Sequence, residues 1–273
     1  MEAGTLYGVG VGPGDPELMT LKAVKTALAC DLIAVPHKDA AKCTALKIAL
    51  GAAPELAEKP LLTVDMPMTK DADLLEESCR KGAALLEAEL AQGKNVCFLT
   101  LGDPTVYSTY LYLHQRVTAH GYPGVIIPGV TSFCGAAAAL NAEYTLPTIS
   151  QTVIITRMEG RTPVPEKEQL ASLAAHGATM VIFLSIGLVD KVQEALLQGA
   201  YTPGTPAAVV YKATWPEEKI VRCSVGTLAE SVHAAGITKT ALIVVGDFLG
   251  TRYERSRLYD PAFTTEFRKG ADA

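Results

Sequence analysis

Short apolar runs alternate with amphipathic helical segments through the first half of the chain, and this alternation limits the folds open to it. The predicted strands are 6–12, 31–35, 61–64, 95–101 and 125–127. The predicted helices between them are 17–30, 40–50, 71–91 and 106–119. The nearly continuous apolar run at 95–101 is typical of a strand inside a parallel sheet. The first half is therefore predicted to be an α/β domain with a parallel five-stranded sheet.

The second half of the chain repeats the alternation with one difference. Its predicted strands are 152–156, 179–184, 207–211, 219–223 and 241–246, and its predicted helices are 166–174, 188–197 and 225–234. Only a short loop separates 207–211 from 219–223, so these two strands can pair antiparallel and the second sheet is predicted to be mixed. We expect an N-terminal α/β domain at 1–128, a C-terminal α/β domain at 129–249 and a C-terminal tail at 250–273.

Composition excludes several classes of protein. The 273 residues are 49% apolar and 19% charged, which suits two folded domains and not a disordered chain. A net charge of −5 argues against binding to nucleic acid or to an anionic membrane. We find no secretory leader and no apolar stretch that reads as a membrane span. The six cysteines contain no CxxC pair and the five histidines have no metal-ligand spacing, so we expect reduced thiols in a cytoplasm and no metal site.

The glycine-rich string at 8–15 follows a predicted strand and invites comparison with a dinucleotide-binding loop. Its spacing does not fit GxGxxG, because the third glycine would have to be at Pro13 or Asp15. Pro13 also has no N–H to offer a pyrophosphate. A nucleotide-dependent dehydrogenase is therefore the less favoured alternative. The glycines serve either a tight, closely packed turn or a loop that shapes a ligand crevice at the carboxyl edge of the sheet.

Asp103 directly follows the buried strand 95–101, and two compatible interpretations remain open. It is a candidate N-cap of the next helix, with Pro104 at the first helical position. It also lies at the sheet edge where open α/β sheets bind ligands. Thr131 and Ser132 follow the next strand. They too are candidates for a helix cap or for a ligand contact at the edge of the sheet. The residues alone lead to a two-domain α/β protein with a small-molecule crevice between the domains, and they identify no catalytic residue.

Three strings carry a resemblance to a known family. They are 9–18 together with 20–23, 101–104, and 128–132. In these strings the chain resembles the tetrapyrrole methylases. The resemblance implies S-adenosylmethionine as cofactor, with S-adenosylhomocysteine as its product, in a cleft between two α/β domains. It also implies methylation of a precorrin or cobalt-precorrin in cobalamin biosynthesis, and we expect a cytoplasmic homodimer.

The two halves resemble different subfamilies. Residues 1–128 resemble the precorrin-2 methyltransferases that act at carbon 20, through 4–10, 66–71 and 100–110. Residues from 143 onward resemble the precorrin-4 methyltransferases that act at carbon 11, through 144–147, 150–152, 159–166, 211–216, 238–242 and 253–260. Either a chimera of two enzymes or a single divergent lineage would explain why the two halves resemble different subfamilies. The longer match favours carbon 11 of precorrin-4; the alternatives are carbon 20 of precorrin-2 and a tetrapyrrole-binding protein with impaired transfer.

The resemblance also implies site residues. The cofactor contacts it implies are Pro13, Leu101, Gly102, Asp103, Val106, Tyr107, Thr131, Ser132, Ile186, Tyr211, Ala213, Thr240 and Ala241. Ile186 is the weakest of these, since related enzymes often have Met there. A precorrin carries many carboxylates, so cations should line its binding surface, and the candidates near strand ends are Arg157, Arg161 and Lys212.

Overall fold

Two compact units make up the computed structural model, which describes residues 2–67, 69, 71–160, 162–250, 264 and 266. The first unit is Met1–Gly135 together with Ala213–Glu217, and the second is Ala136–Lys212 together with Glu218–Ala273. The contacts thus divide the chain at 135/136, whereas we expected the division at 128/129. The expected tail at 250–273 lies almost entirely outside the described residues.

The first unit contains a parallel sheet, as predicted. Its strands are β1 (Leu6–Gly10), β2 (Leu32–Val35), β3 (Leu61–Thr63), β4 (Val96–Thr100) and β5 (Gly124–Ile127), in the order β3-β2-β4-β1-β5. Its helices are α1 (Leu21–Ala29), α2 (Thr44–Ala52), α3 (Ala72–Leu90) and α4 (Tyr110–Ala119), and α5 (Ser132–Leu140) crosses the division between the units. All four strand pairs are parallel, so the prediction of a parallel five-stranded sheet is confirmed.

Helices cover both faces of this sheet, which explains the unbroken apolar strands. In β4, Cys97 and Leu99 join a buried cluster with α1 and α2, while Val96 and Phe98 join a second cluster with α3 and α4. A strand with no solvated face has no reason to alternate polar and apolar residues.

Three predicted helices of this unit begin later than expected. The predicted helix 40–50 consists of a 3₁₀ turn at Ala40–Lys42 and then α2, which begins at Thr44. The predicted helix 17–30 consists of a 3₁₀ turn at Pro16–Leu18 and then α1, because the Thr20 side chain accepts a hydrogen bond from the N–H of Ala23 at 3.1 Å and starts a new helix. The predicted helix 106–119 begins only at Tyr110. Residues 103–109 form a loop instead, and that loop belongs to the candidate site.

The second unit contains the predicted mixed sheet. Its strands are β6 (Val153–Arg157), β7 (Thr179–Phe183), β8 (Pro206–Tyr211), β9 (Lys219–Ser224) and β10 (Ala241–Val245), in the order β6-β7-β10-β8-β9. Its other helices are α6 (Leu170–Ala174), α7 (Val189–Gln198) and α8 (Leu228–Ala235). β6 and β7 pair in parallel, and β10 pairs antiparallel with both β7 and β8. β8 and β9 also pair antiparallel across their short connection, as their spacing predicted.

None of the helices within the described ranges combines the length and the apolar character that a membrane crossing requires.

A buried tyrosine and a histidine lie against the first sheet where two glycines leave room for them. A Cβ on Gly8 would lie 2.0 Å from the ring of Tyr110, and one on Gly124 would lie 2.7 Å from the ring of His114. The hydroxyl of Tyr110 lies 3.0 Å from Nδ1 of His114. Burial lowers the pKa of His114 below its usual 6.5, because the charged imidazolium loses solvation there.

We therefore expect the free energy of unfolding to fall as the pH drops below about 6.5, because the unfolded chain then binds a proton that the folded chain resists. Above that pH His114 is neutral in both states and the stabilising effect is fully present. Urea unfolding at about pH 7.5 and at about pH 5.5 measures how much the free energy of unfolding changes between these two pH values. The His114→Gln variant should show a smaller change in the free energy of unfolding between these pH values. An identical change in both proteins would contradict the assignment of the pH dependence to His114.

Candidate functional site

In the first unit, the loops that follow β1 and β4 run together at the carboxyl edge of the sheet. The N–H of Gly12 donates to the carbonyl of Gly102 at 3.2 Å, and the N–H of Gly102 donates to the carbonyl of Gly12 at 2.8 Å. Both residues have positive φ, 84° and 70°, which glycine adopts without strain. The pairing therefore extends past the strands into loops that residues with a side chain would form only at a cost.

The loop after β5 approaches this pair just as closely. A Cβ on Gly10 would lie 2.6 Å from the backbone N of Gly129, and a Cβ on Gly129 would lie 2.2 Å from the carbonyl oxygen of Gly102. The first α-helix begins only at Leu21, so the glycine loop does not lead into a helix N-terminus as a dinucleotide-binding loop does. The absence of a Cβ at Gly10 and Gly129 thus allows three neighbouring strand ends to meet.

Asp103 binds two of these loops together. It is 7% exposed. One carboxylate oxygen accepts hydrogen bonds from the N–H (2.7 Å) and the hydroxyl of Thr105, and the other accepts from the N–H of Gly129 at 2.8 Å. The prediction that Asp103 caps the following helix is wrong, because that helix begins seven residues later at Tyr110. Both oxygens are engaged, so Asp103 serves as an anchor and not as a free general base.

Two large apolar side chains are exposed at this edge. Leu101 is 46% exposed and Tyr107 is 47% exposed, and Tyr107 also has a positive φ of 50°. A Cβ on Gly102 would meet no atom within 4 Å, so the space beside this backbone is open. An open backbone flanked by apolar side chains is typical of a small-molecule site.

The segment 213–217 connects β8 with β9 along the chain and packs within the first unit. Nε1 of Trp215 donates a hydrogen bond to the carbonyl of Pro13 at 2.6 Å. The hydroxyl oxygen of Thr214 accepts from the N–H of Asp15 at 3.0 Å. A Cβ on Gly14 would lie 1.9 Å from Cδ1 of Trp215, so the indole lies directly on that glycine.

These contacts bring candidate cofactor residues of the first unit together. A Cβ on Gly135 would lie 2.9 Å from Thr214, 3.4 Å from Pro13 and 3.7 Å from Ala213. Gly135 belongs to α5, whose first residue is the candidate Ser132 and which follows Thr131. The segments that carry Pro13, Ala213 and Ser132 therefore meet around one glycine.

In the second unit, the remaining candidates lie at one edge of the mixed sheet. Because β10 runs antiparallel to β8, Ala241 pairs with Tyr211, and the N–H of Lys212 donates to the carbonyl of Thr240 at 2.9 Å. Ile186 follows β7 at the same edge and is 5% exposed within the core. Its side chain is used in packing, so a ligand would meet it mainly through its backbone.

Backbone strain is concentrated at this edge. Leu184, Lys212 and Thr240 have φ values of 53°, 46° and 55°. Left-handed conformations of such residues cost on the order of 1–3 kcal/mol each and cluster at functional sites. Leu184 is also 73% exposed, so its side chain gains little from burial.

The three candidate cations differ in their surroundings. The guanidinium of Arg157 donates to the carbonyls of Thr162 at 3.1 Å and Pro163 at 2.7 Å, and so orders the loop after β6. Nζ of Lys212 lies 5.6 Å from the ring centroid of Tyr211, within range of a cation–π interaction. Arg161 lies outside the described residues. Their binding of substrate stays a prediction.

Two residues at these edges were missed by sequence reasoning. Trp215 stood inside a string that we used only for its resemblance, although a single tryptophan two residues from a candidate contact is a signal. Leu184 gave no signal at all, because neither its exposure nor its φ can be read from the residue types around it. Across the described ranges, no three side chains of His, Cys, Asp or Glu are grouped so that they could hold a metal ion.

Comparison with known proteins identifies the family. Residues 5–229 match the model of the family described as Tetrapyrrole (Corrin/Porphyrin) Methylases. The chain belongs to this family.

Similar proteins extend the match to nearly the whole chain. A cobalt-precorrin-4 C(11)-methyltransferase from Methanocaldococcus jannaschii is 41% identical over 262 residues, which cover 96% of this chain and 95% of that protein. The X-ray structure of a cobalt precorrin-4 methyltransferase is 37% identical with a TM-score of 0.76, over 90% of this chain and 96% of that one. A uroporphyrin-III C-methyltransferase from Thermus thermophilus, complexed with S-adenosylhomocysteine, is 25% identical with a TM-score of 0.68, over 90% and 99% of the two chains.

The expected division of the chain into two subfamilies gains no support from these matches. The relative named for carbon 11 aligns across both halves, over 96% of the chain. The strings that resembled carbon-20 enzymes are short: one contains β1, and another contains the loop after β4.

The role of Asp103 can be tested with Asp103→Asn. An amide offers only one acceptor oxygen and would turn its NH₂ towards a donor at Thr105 or Gly129, so the free energy of unfolding should fall by about 1–3 kcal/mol. The matched control is Asp15→Asn, whose carboxylate caps the 3₁₀ turn through the N–H of Glu17 at 2.9 Å. Asn caps as well as Asp, so the control should be nearly neutral. Equal losses in urea unfolding would exclude the bridging role.

The strain at Leu184 can be tested with Leu184→Asn. Asparagine tolerates left-handed conformations, so the free energy of unfolding should stay constant or rise by about 1 kcal/mol. Leu21→Asn is the control, because Leu21 is 79% exposed at the start of a regular helix and has no strain to lose. We expect that variant to lose a few tenths of a kcal/mol. A larger loss at Leu184 than at Leu21 would show that the leucine is not strained.

Proposed function

We propose that the protein transfers the methyl group of S-adenosylmethionine to carbon 11 of precorrin-4 or cobalt-precorrin-4 in cobalamin biosynthesis. The observation that carries this proposal is the 41% identity, over 96% of the chain, to a protein named for that reaction. The membership of the chain in the tetrapyrrole methylases supports it. Any cobalt belongs to the substrate and not to the protein.

The loops after β1, β4 and β5 in the first unit are the proposed binding surface for the cofactor. The open space beside Gly102 and the exposed faces of Leu101 and Tyr107 offer an apolar surface with backbone polar groups at its edge. Pro13, Ala213 and Ser132 lie on segments that meet around Gly135. A related structure with S-adenosylhomocysteine bound supports S-adenosylmethionine as the cofactor. When bound, the sulfonium of S-adenosylmethionine supplies an electrophilic methyl group.

In such a reaction the protein acts mainly by holding the methyl donor and the ring carbon in the right positions. Asp103 and the backbone pairing of Gly12 with Gly102 fix the loops by hydrogen bonds, and loops fixed in this way can hold the donor and the substrate in position for transfer. Exposed apolar side chains reduce the water near the reacting atoms when the substrate covers them. We propose Lys212 and the arginines at 157 and 161 as the cations that receive the carboxylates of the precorrin.

We also propose a cytoplasmic homodimer. The apolar side chains exposed on helices of the first unit support a contact with a second copy: Leu74, Leu75, Leu85, Leu111 and Tyr112. The six free cysteines are typical of a reducing compartment. Sedimentation equilibrium tests the dimer, and a Tyr112→Glu variant should shift it to monomer.

Calorimetry tests the cofactor. We expect S-adenosylhomocysteine to bind with a dissociation constant of about 1–100 μM and NAD to give no heat under the same conditions. Binding of NAD in place of S-adenosylhomocysteine would contradict the proposal and favour a nucleotide-dependent dehydrogenase.

Product analysis tests the position of transfer. With a ¹³C-methyl donor, we expect cobalt-precorrin-4 to gain one labelled methyl at carbon 11, as seen by mass spectrometry and carbon NMR, and precorrin-2 to remain unlabelled. Label at carbon 20 of precorrin-2 would contradict the proposal. Binding of donor and tetrapyrrole without any transfer would favour a tetrapyrrole-binding protein with impaired transfer.

A further inference from the structure

The turn at 213–217 is built at a conformational cost. Thr214 has a φ of 73° and Lys212, which precedes the turn, has a φ of 46°. Neither residue is a glycine or an asparagine, which would adopt these angles with less strain. Left-handed backbone on both sides of Ala213 persists only where surrounding contacts hold it, and such outliers point to function.

What the strained turn holds is the glycine loop after β1. The indole N–H of Trp215 fixes the carbonyl of Pro13, and the hydroxyl of Thr214 fixes the N–H of Asp15. These two backbone groups lie on either side of Gly14, where the indole itself is in contact. One hydrogen-bond donor, one acceptor and the contact of the indole with Gly14 therefore define the path of residues 13–15.

The same turn sets the distance between two candidate cofactor contacts. Pro13 and Ala213 both lie within 4 Å of the position that a Cβ on Gly135 would occupy, and Thr214 lies closer still at 2.9 Å. A shift of the turn would move Ala213 directly and Pro13 through its hydrogen bond to Trp215. A displacement of about 1 Å is enough to change the binding and reaction of a positioned ligand strongly.

We propose that Trp215 and Thr214 are positioning residues, which hold the loop 12–15 in the conformation that binds the adenosyl cofactor. The inference rests on the proposed function, since it names how that cofactor site is kept in shape. Trp215 acts through the carbonyl of Pro13 and Thr214 through the N–H of Asp15. Binding of the cofactor to this loop is therefore coupled to the environment of the indole.

Fluorescence gives a readout that a purely structural role would not move. Trp215 is the single tryptophan of the chain, so the tryptophan emission reports on this turn alone. Titration with S-adenosylhomocysteine should change the intensity or the wavelength of that emission, with the same dissociation constant that calorimetry gives. Emission that stays constant while calorimetry shows saturation would overturn the coupling.

Substitutions separate positioning from stability. Trp215→Phe keeps an aromatic ring over Gly14 and removes the donor to Pro13, so the dissociation constant of S-adenosylhomocysteine and the KM for the methyl donor should each rise about five- to tenfold. Thr214→Val should weaken binding in the same direction, and Thr214→Ser, which keeps the hydroxyl, should restore most of the affinity.

Tyr201→Phe is the matched control, because it also removes an aromatic donor to a backbone carbonyl, that of Ala178 in the second unit. It should lower Tm and leave the affinity for S-adenosylhomocysteine unchanged. If Trp215→Phe behaves like this control, the turn is only structural and the proposal fails. If the unmodified protein binds no S-adenosylhomocysteine at all, the proposed function fails instead, and the two failures are thereby told apart.

Discussion

The close approach of three backbones at the carboxyl edge of the first sheet is the constraint on which the candidate site depends. The loops after β1, β4 and β5 pass within distances that leave no room for a Cβ at Gly10 or Gly129. Asp103 then supplies the charge-assisted hydrogen bonds that keep the loops after β4 and β5 together. The glycines thus let the three loops lie side by side, and the hydrogen bonds of Asp103 fix two of these loops to each other.

At the edge of the second sheet, strained backbone lies next to a densely packed core. Leu184, Lys212 and Thr240 adopt strained conformations directly beside a core in which β7, β8 and β10 are almost completely buried. Ser185, which is fully buried, donates to the carbonyl of Phe183 at 2.6 Å and accepts from the N–H of Met158 at 2.7 Å, and so pins the end of β7. Strained residues of this kind persist where the surrounding structure holds them, and the closely packed core beside them provides that support.

The comparisons and the residues contribute different parts of the functional conclusion. The family follows from a match along 5–229, while the carbon that is methylated comes to this chain only as a proposal from a relative's name. Short strings suggested two lineages because each of them covers only a few residues of the chain. The alignment with the relative named for carbon 11 covers 96% of the chain and therefore includes both halves.

The sequence by itself determined the elements of this protein, since apolar runs and helical spacing are local and each strand or helix can be recognised alone. It therefore predicted the parallel sheet, the mixed sheet and the antiparallel pair β8–β9, which needs only a short loop. Only the tertiary structure decided that Asp103 bridges to Gly129 rather than capping a helix. The tertiary structure alone placed Trp215 against Gly14 and gave it a hydrogen bond to Pro13, which lies 202 residues earlier in the chain. The reason is physical: hydrogen bonds and close backbone approaches between residues distant in sequence leave no periodic pattern, and they exist only once the sheets have placed the loops side by side.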